Sequence, residues 1–182
     1  MAFDSIAEYQ AISNEFGEEL AFWQEALEGR DGNANRAVVR AFVRMVFAQI
    51  EAEVFRLKQM ALECNAKKPS LSPGEVAMCL EETFDLQENG NVKGRTAKLR
   101  FLPNVRFALM VATKAVGSSS EADYNDPGWQ ALTKAIPIRD RLMHPKKVHD
   151  YLVSKQETTT VTQGRLWFGN QVMGIFEKMN KV

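Results

Sequence analysis

Residues 34–64 read ANRAVVRAFVRMVFAQIEAEVFRLKQMALEC, and their periodicity decides the fold. Wound at 100° per residue, Arg40, Arg44, Glu51 and Lys58 gather into one narrow polar stripe, expected to face water. Val39, Val43, Val46, Ile50 and Leu57 run along the centre of the remaining, mostly apolar circumference. A helix apolar on so many sides belongs at the centre of a helical bundle. Glu53 falls on that apolar side, flanked by Val46, Ile50, Leu57 and Met60. A buried carboxylate needs a partner. Two readings stay open: a structural pair with an arginine from a neighbouring helix, or a carboxylate lining a functional pocket.

Working outward, the flanking segments also read as helix. On the N-terminal side, Ser5 and Glu8 have capping-box spacing, and Ile12, Phe16, Leu20, Trp23 and Leu27 follow at intervals of three or four. That spacing predicts a first helix ending near Gly29, with the loop RDGNAN leading into the long one. On the C-terminal side, Ser72, Pro73 and Glu75 supply cap, first position and capping-box partner for a third helix. It is expected to run to about Leu86, where ENGN stops it. A fourth helix is expected over about 95–116, interrupted or kinked by Pro103. GSSSEADYND reads as a flexible connector, and Asp126 and Pro127 open a fifth helix through about 143, with Pro137 inside it. The last begins near TTTVTQ, with Thr160 and Gln163 as capping box and Phe168, Val172, Ile175 and Met179 on one face. No stretch of alternating β-branched residues has the length or flanking turns of a strand set. The expectation is one all-α domain over residues 1–182, an up-and-down helical bundle of about five to six helices.

Composition narrows the class. The 182 residues and 45% hydrophobic content suit a globular domain with its own core. Two cysteines, Cys64 and Cys79, make neither a secreted disulfide framework nor a CxxC zinc site, and read as packing residues. Trp23, Trp129 and Trp167 read as core anchors. The start MAFDSIAEYQ lacks the basic and apolar regions of a signal peptide. No uncharged apolar run approaches the ~20 residues that span a bilayer. The expected setting is cytoplasmic, with no membrane partner.

Chemistry concentrates in IPIRDRLMHPKK, residues 136–147, which holds one of the only two histidines. Asp140 and His144 are four apart and share a helix face, so the carboxylate can orient the imidazole. Pro145 disfavours α geometry at His144, placing that ring at the helix end, where it can swing toward Arg139. A guanidinium can hold a phosphate bidentately, and a histidine beside it can move protons at pH 7. Arg141, Lys146 and Lys147 read either as a phosphate-binding rim or as a solvated helix end. His149 has no matching partner and reads as a surface residue, and a metal site with Asp150 lacks a second ligand set. No metal or other cofactor is expected.

Arg139–Asp140–Arg141–Leu142–Met143–His144 resembles the R-x4-6-H signature of the HEPN superfamily, in which a polar residue commonly follows the arginine. The resemblance covers about residues 139–145, in the penultimate helix, and implies an all-α bundle. It further implies a metal-independent endoribonuclease of the toxin or phage-defence type, acting on RNA as a homodimer, with an antitoxin protein as a further partner. Carried over, Arg139 and His144 are catalytic and Asp140 orients them. Other members only bind RNA or nucleotides, so a non-catalytic module is the alternative, beside a helical bundle that binds a partner protein.

The net charge of zero, from 23 bases and 23 acids, argues against nucleic acid only as a sum. Residues 1–28 carry seven acids and no bases, net −7, whereas 92–147 carry eleven bases and four acids, net +7. The basic segment ends at the histidine motif, and if folding gathers its charges on one face they would guide RNA there.

Overall fold

Six α-helices account for most of the chain in a computed structural model, which describes residues 4–28, 32–118 and 122–179. They are α1 (Asp4–Glu28), α2 (Gly32–Lys67), α3 (Pro73–Cys79), α4 (Phe101–Ala115), α5 (Pro127–Met143) and α6 (Lys155–Met179). The all-α expectation holds for the helices and fails at one place, a two-stranded antiparallel hairpin of β1 (Glu82–Leu86) and β2 (Val92–Thr96). Side chains of Ser5, Leu27 and Met179, the loop around Gly29 and part of the GSSSEADYND connector lie outside the described residues.

The chain divides into two compact units. The first comprises Met1–Tyr9, Val54–Ala122 and Gly174–Val182 and contains the hairpin. Its buried apolar residues come from the second half of α2 (Val54, Leu57, Met60, Ala61) and from α4 (Val105, Ala108, Leu109, Val111, Ala112). Cys79 closes this core against Ala61 and Val111. Burial pushes the Cys79 thiol up to about 11 and raises Cys64 too, as expected of packing residues. The Ser72–Glu75 capping box forms as read, and Lys114 reaches back to the Glu75 carboxylate at 2.7 Å.

Two expectations fail in this unit for physical reasons. The third helix stops at Cys79, because Glu81 turns left-handed at φ 57° and the chain reverses into β1. ENGN is therefore a hairpin turn and not a helix stop: Gly90 takes φ 81°, and Gln87 donates its N–H to the Asn91 carbonyl at 2.8 Å. Pro103 sits in the first turn of α4, where its missing N–H has no helical partner to lose, so it neither interrupts nor kinks that helix.

Lys58 corrects the polar stripe. Its side chain is 0% exposed, with its ammonium against the Glu81 carboxylate and the Asn104 carbonyl oxygen. This buried charge ties α2 to the root of the hairpin. Ala97 adds a main-chain N–H to the Glu81 carbonyl at 2.6 Å.

The second unit comprises Gln10–Glu53 and Asp123–Met173. Its core joins Val38, Phe42, Val43, Val46, Phe47 and Ile50 of α2 to Leu132, Ala135, Ile138 and Leu142 of α5 and to Val161, Phe168 and Val172 of α6. Trp129 and Trp167 are buried with ring centroids 5.1 Å apart, while Trp23 is only half-buried. Tyr124, expected in a flexible connector, packs its ring on both, 5.0 Å from Trp129 and 6.0 Å from Trp167. The cap of α6 also differs from the expected Thr160–Gln163 box. Ser154 and Glu157 form it instead, and Thr160 lies inside the helix with its hydroxyl donating to the Gln156 carbonyl.

Candidate functional site

The site is built at the C-terminal end of α5, within the second unit. Asp126 caps the helix start by accepting the Gly128 N–H at 2.6 Å, and Pro137 is carried in the interior. The helix ends at His144, whose φ of −130° and ψ of 60° leave the α region, as the following proline demands. Its main-chain N–H still donates to the Asp140 carbonyl at 2.9 Å, and its side chain is exposed.

Arg139 lies on the last turns of the same helix, half-buried against α2. Its guanidinium pairs with Glu51, donates to the Asp140 carboxylate at 3.3 Å and lies 5.7 Å from the centre of the Phe47 ring. Asp140 and Arg139 are thus brought together by their side chains, whereas the bond between His144 and Asp140 is the ordinary main-chain bond of a helix end and does not engage the imidazole. Arg44 donates to the Leu142 carbonyl at 2.9 Å, placing a further cation on the helix end.

The predicted rim divides. Arg141 donates to the Leu152 carbonyl at 2.7 Å and to Glu157 at 2.9 Å, so it fastens the chain between α5 and α6. Lys146 and Lys147 keep exposed side chains, while their main-chain N–H groups both donate to the Asp150 carboxylate, at 2.7 and 2.9 Å. Those two N–H bonds hold the Asp150 carboxyl below the usual carboxylate range. Beside this loop lies a cavity of about 500 Å³ lined by Arg36, Arg141, His149, Leu152, Ser154 and Glu157, among others. His149 is therefore exposed, as read, and also borders a recess.

Glu53 is buried, 3% exposed, and belongs to a different polar network. It accepts from Gln49 at 2.7 Å and from Ser13 at 3.4 Å, and Gln49 in turn accepts from Arg165 at 2.9 Å. Burial lowers the Arg165 guanidinium, and the Glu53 charge opposes that shift. Glu53 is thus associated with an arginine from α6. Among the described residues, no group of three or more His, Cys, Asp or Glu is arranged to hold a metal ion, and no helix is long and apolar enough to cross a membrane.

Residues 34–64 alone did not reveal Glu51 and Arg44 as neighbours of the motif. Both were visible as one stripe, but only the packing of α5 shows that the stripe faces the motif helix. Burial alone would raise the Glu157 carboxyl, yet the Ser154 N–H and the Arg141 guanidinium outweigh it and hold it below its usual range. A depressed carboxyl contributes stability that is complete above its unfolded pKa and lost as pH falls through the folded value. The gap in melting temperature between the protein and Glu157→Gln is therefore expected to be full at pH 7 and to close below about pH 4. Melting curves from pH 7 to 3 measure it, and a gap that widens in acid would contradict the assignment.

Comparison with protein-family models, curated proteins and solved structures found no match to this chain.

Proposed function

We propose that the chain is a HEPN-like RNA-acting protein, a metal-independent endoribonuclease cleaving by 2′-hydroxyl attack. The observation that carries this reading is the arrangement at the end of α5. Arg139 is oriented by Asp140, Glu51 and Phe47, while His144, Lys146 and Lys147 are exposed on the segment that follows. In this scheme His144 takes the 2′-hydroxyl proton as the 2′-oxygen bonds to phosphorus. The bond to the 5′-oxygen breaks, and the imidazolium returns the proton to that oxygen. The products are a 2′,3′-cyclic phosphate and a 5′-hydroxyl. Arg139 bears the charge on the phosphate, Asp140 holds Arg139 in register, and the two lysines draw in the flanking backbone. The toxin or phage-defence setting, with a protein antitoxin, follows from the same resemblance, and the reading keeps the cytoplasmic location expected from the sequence.

A binding-only module is the second reading, favoured by the two carboxylates on Arg139, which a phosphate must displace. One experiment separates the two. Purified protein is incubated with single-stranded and structured RNA in chelator, beside His144→Ala and Glu51→Gln. Cyclic-phosphate ends that vanish in His144→Ala are the expected result, with Glu51→Gln binding labelled RNA about threefold more tightly at low salt. Cleavage undiminished in His144→Ala removes that residue from the mechanism. Binding without cleavage in every protein selects the module, and no affinity at low salt overturns both.

A further inference from the structure

The hairpin is amphipathic, and its apolar side is bare. Glu82, Phe84 and Leu86 share a face with Val92, Gly94 and Thr96, the Phe84 ring lying across Gly94. Phe84, Leu86 and Val92 are 57%, 78% and 66% exposed. The opposite face carries Thr83, Asp85, Lys93 and Arg95, with Asp85 and Arg95 paired at 2.7 Å. Two strands with no covering element are marginal alone. This pair is held at its root, where Glu81 meets the buried Lys58. The fold thus orders a hairpin whose apolar face stays exposed among the described residues.

The ladder also leaves an edge open. The bonds from Ala97 to Glu81 and from Gln87 to Asn91 bracket the hairpin, so in the alternating antiparallel pattern Thr83 and Asp85 bond inward to Arg95 and Lys93. The N–H and carbonyl groups of Glu82, Phe84 and Leu86 therefore point away from β2, and all five β1 residues are exposed. An edge of this kind is a template for another strand.

We infer that β1 is a pairing edge for a second copy of this chain, joined antiparallel about a two-fold axis through Phe84. Charge decides between the two edges. Pairing of β1 with its copy sets Phe84 beside Phe84, Glu82 beside Leu86 and Thr83 beside Asp85, with no like charges opposed. The same operation on β2 about Gly94 sets Lys93 against Arg95 twice, so that edge is guarded. The occupant is a second copy because the edge is complementary to itself: the outward groups of Phe84 bond to their own counterparts, as an isologous contact requires. Pairing edge to edge buries only two five-residue strand edges and the flanks of their side chains, well short of the ~1,200 Å² in total of a standard interface, so the dimer is weak and concentration-dependent. This inference does not depend on the ribonuclease reading.

The test is sedimentation of the full-length protein over a wide concentration range, beside three variants. Leu86→Pro removes an outward N–H and spares the inward ladder, and is expected to stay monomeric. Thr83→Asp sets a new carboxylate against Asp85 of the other copy and should weaken the dimer about tenfold. Thr83→Lys makes two new ion pairs across the axis and should tighten it. In the unmodified protein, the amides of Glu82, Phe84 and Leu86 should gain exchange protection with concentration, while Gly94 stays fast. A monomer at every concentration overturns the inference, as does a dimer indifferent to these variants with Glu82, Phe84 and Leu86 unprotected.

Discussion

Replacing Glu81 with alanine is expected to cost about 3–5 kcal/mol of stability, more than replacing its partner Lys58 with methionine. Exposure suggests the reverse, since the Glu81 side chain is 32% exposed and that of Lys58 0%. The asymmetry follows from what each substitution leaves behind. Without Glu81, an ammonium stays in the core with the Asn104 side-chain oxygen as its one remaining partner among the described residues, and an uncompensated buried charge is among the costliest defects a fold can carry. Without Lys58, the surviving carboxylate already reaches water, and methionine refills most of the aliphatic volume. Glu81→Gly should recover about 1 kcal/mol relative to alanine, because φ 57° penalises any residue with a Cβ. Denaturant titration of the three variants checks the order. Lys58→Met costing more than Glu81→Ala would mean that the pair does not carry its charge in the core.

Gly164→Ala is expected to destabilise by about 3 kcal/mol although helix propensity alone would favour it by about 1. A Cβ at Gly164 would lie 2.7 Å from the Leu132 Cα and 2.8 Å from its nitrogen. Those are backbone atoms of α5 and cannot rotate aside, so α5 and α6 must separate where Leu132 and Val161 are buried. Gly169 on the same helix has nothing within 4 Å of such a Cβ, and Gly169→Ala should stabilise by about 0.5–1 kcal/mol. The opposite signs within one helix are the test, read as unfolding midpoints. Equal effects at the two glycines would deny the close helix contact.

The sequence was most legible where a structural signal is local. The Ser72–Glu75 box, the Asp126 cap and the break at His144 before Pro145 each depend on a few neighbouring residues, and each forms as read. The hairpin was misread because a period of two over five residues is brief, and ENGN ends a helix as readily as it turns a hairpin. The Ser154–Glu157 cap was missed because the Thr160–Gln163 pair has the same spacing six residues later.

The stripe of Arg40, Arg44, Glu51 and Lys58 marks the limit. Helical periodicity required these residues to line up, and hydrophobic patterning required the apolar face of α2 to be buried. Neither could say what the stripe would meet. Arg44 and Glu51 meet α5, whereas Lys58 is fully buried against Glu81 and Asn104. Helix formation depends on residues within a turn or two, so the 182 letters carried the helices, most of their ends and the position of Arg139, Asp140 and His144. The surroundings of a charge depend on chains distant in sequence. Packing alone decided which charge stayed wet, which was buried, and which carboxylate came to rest on the motif arginine.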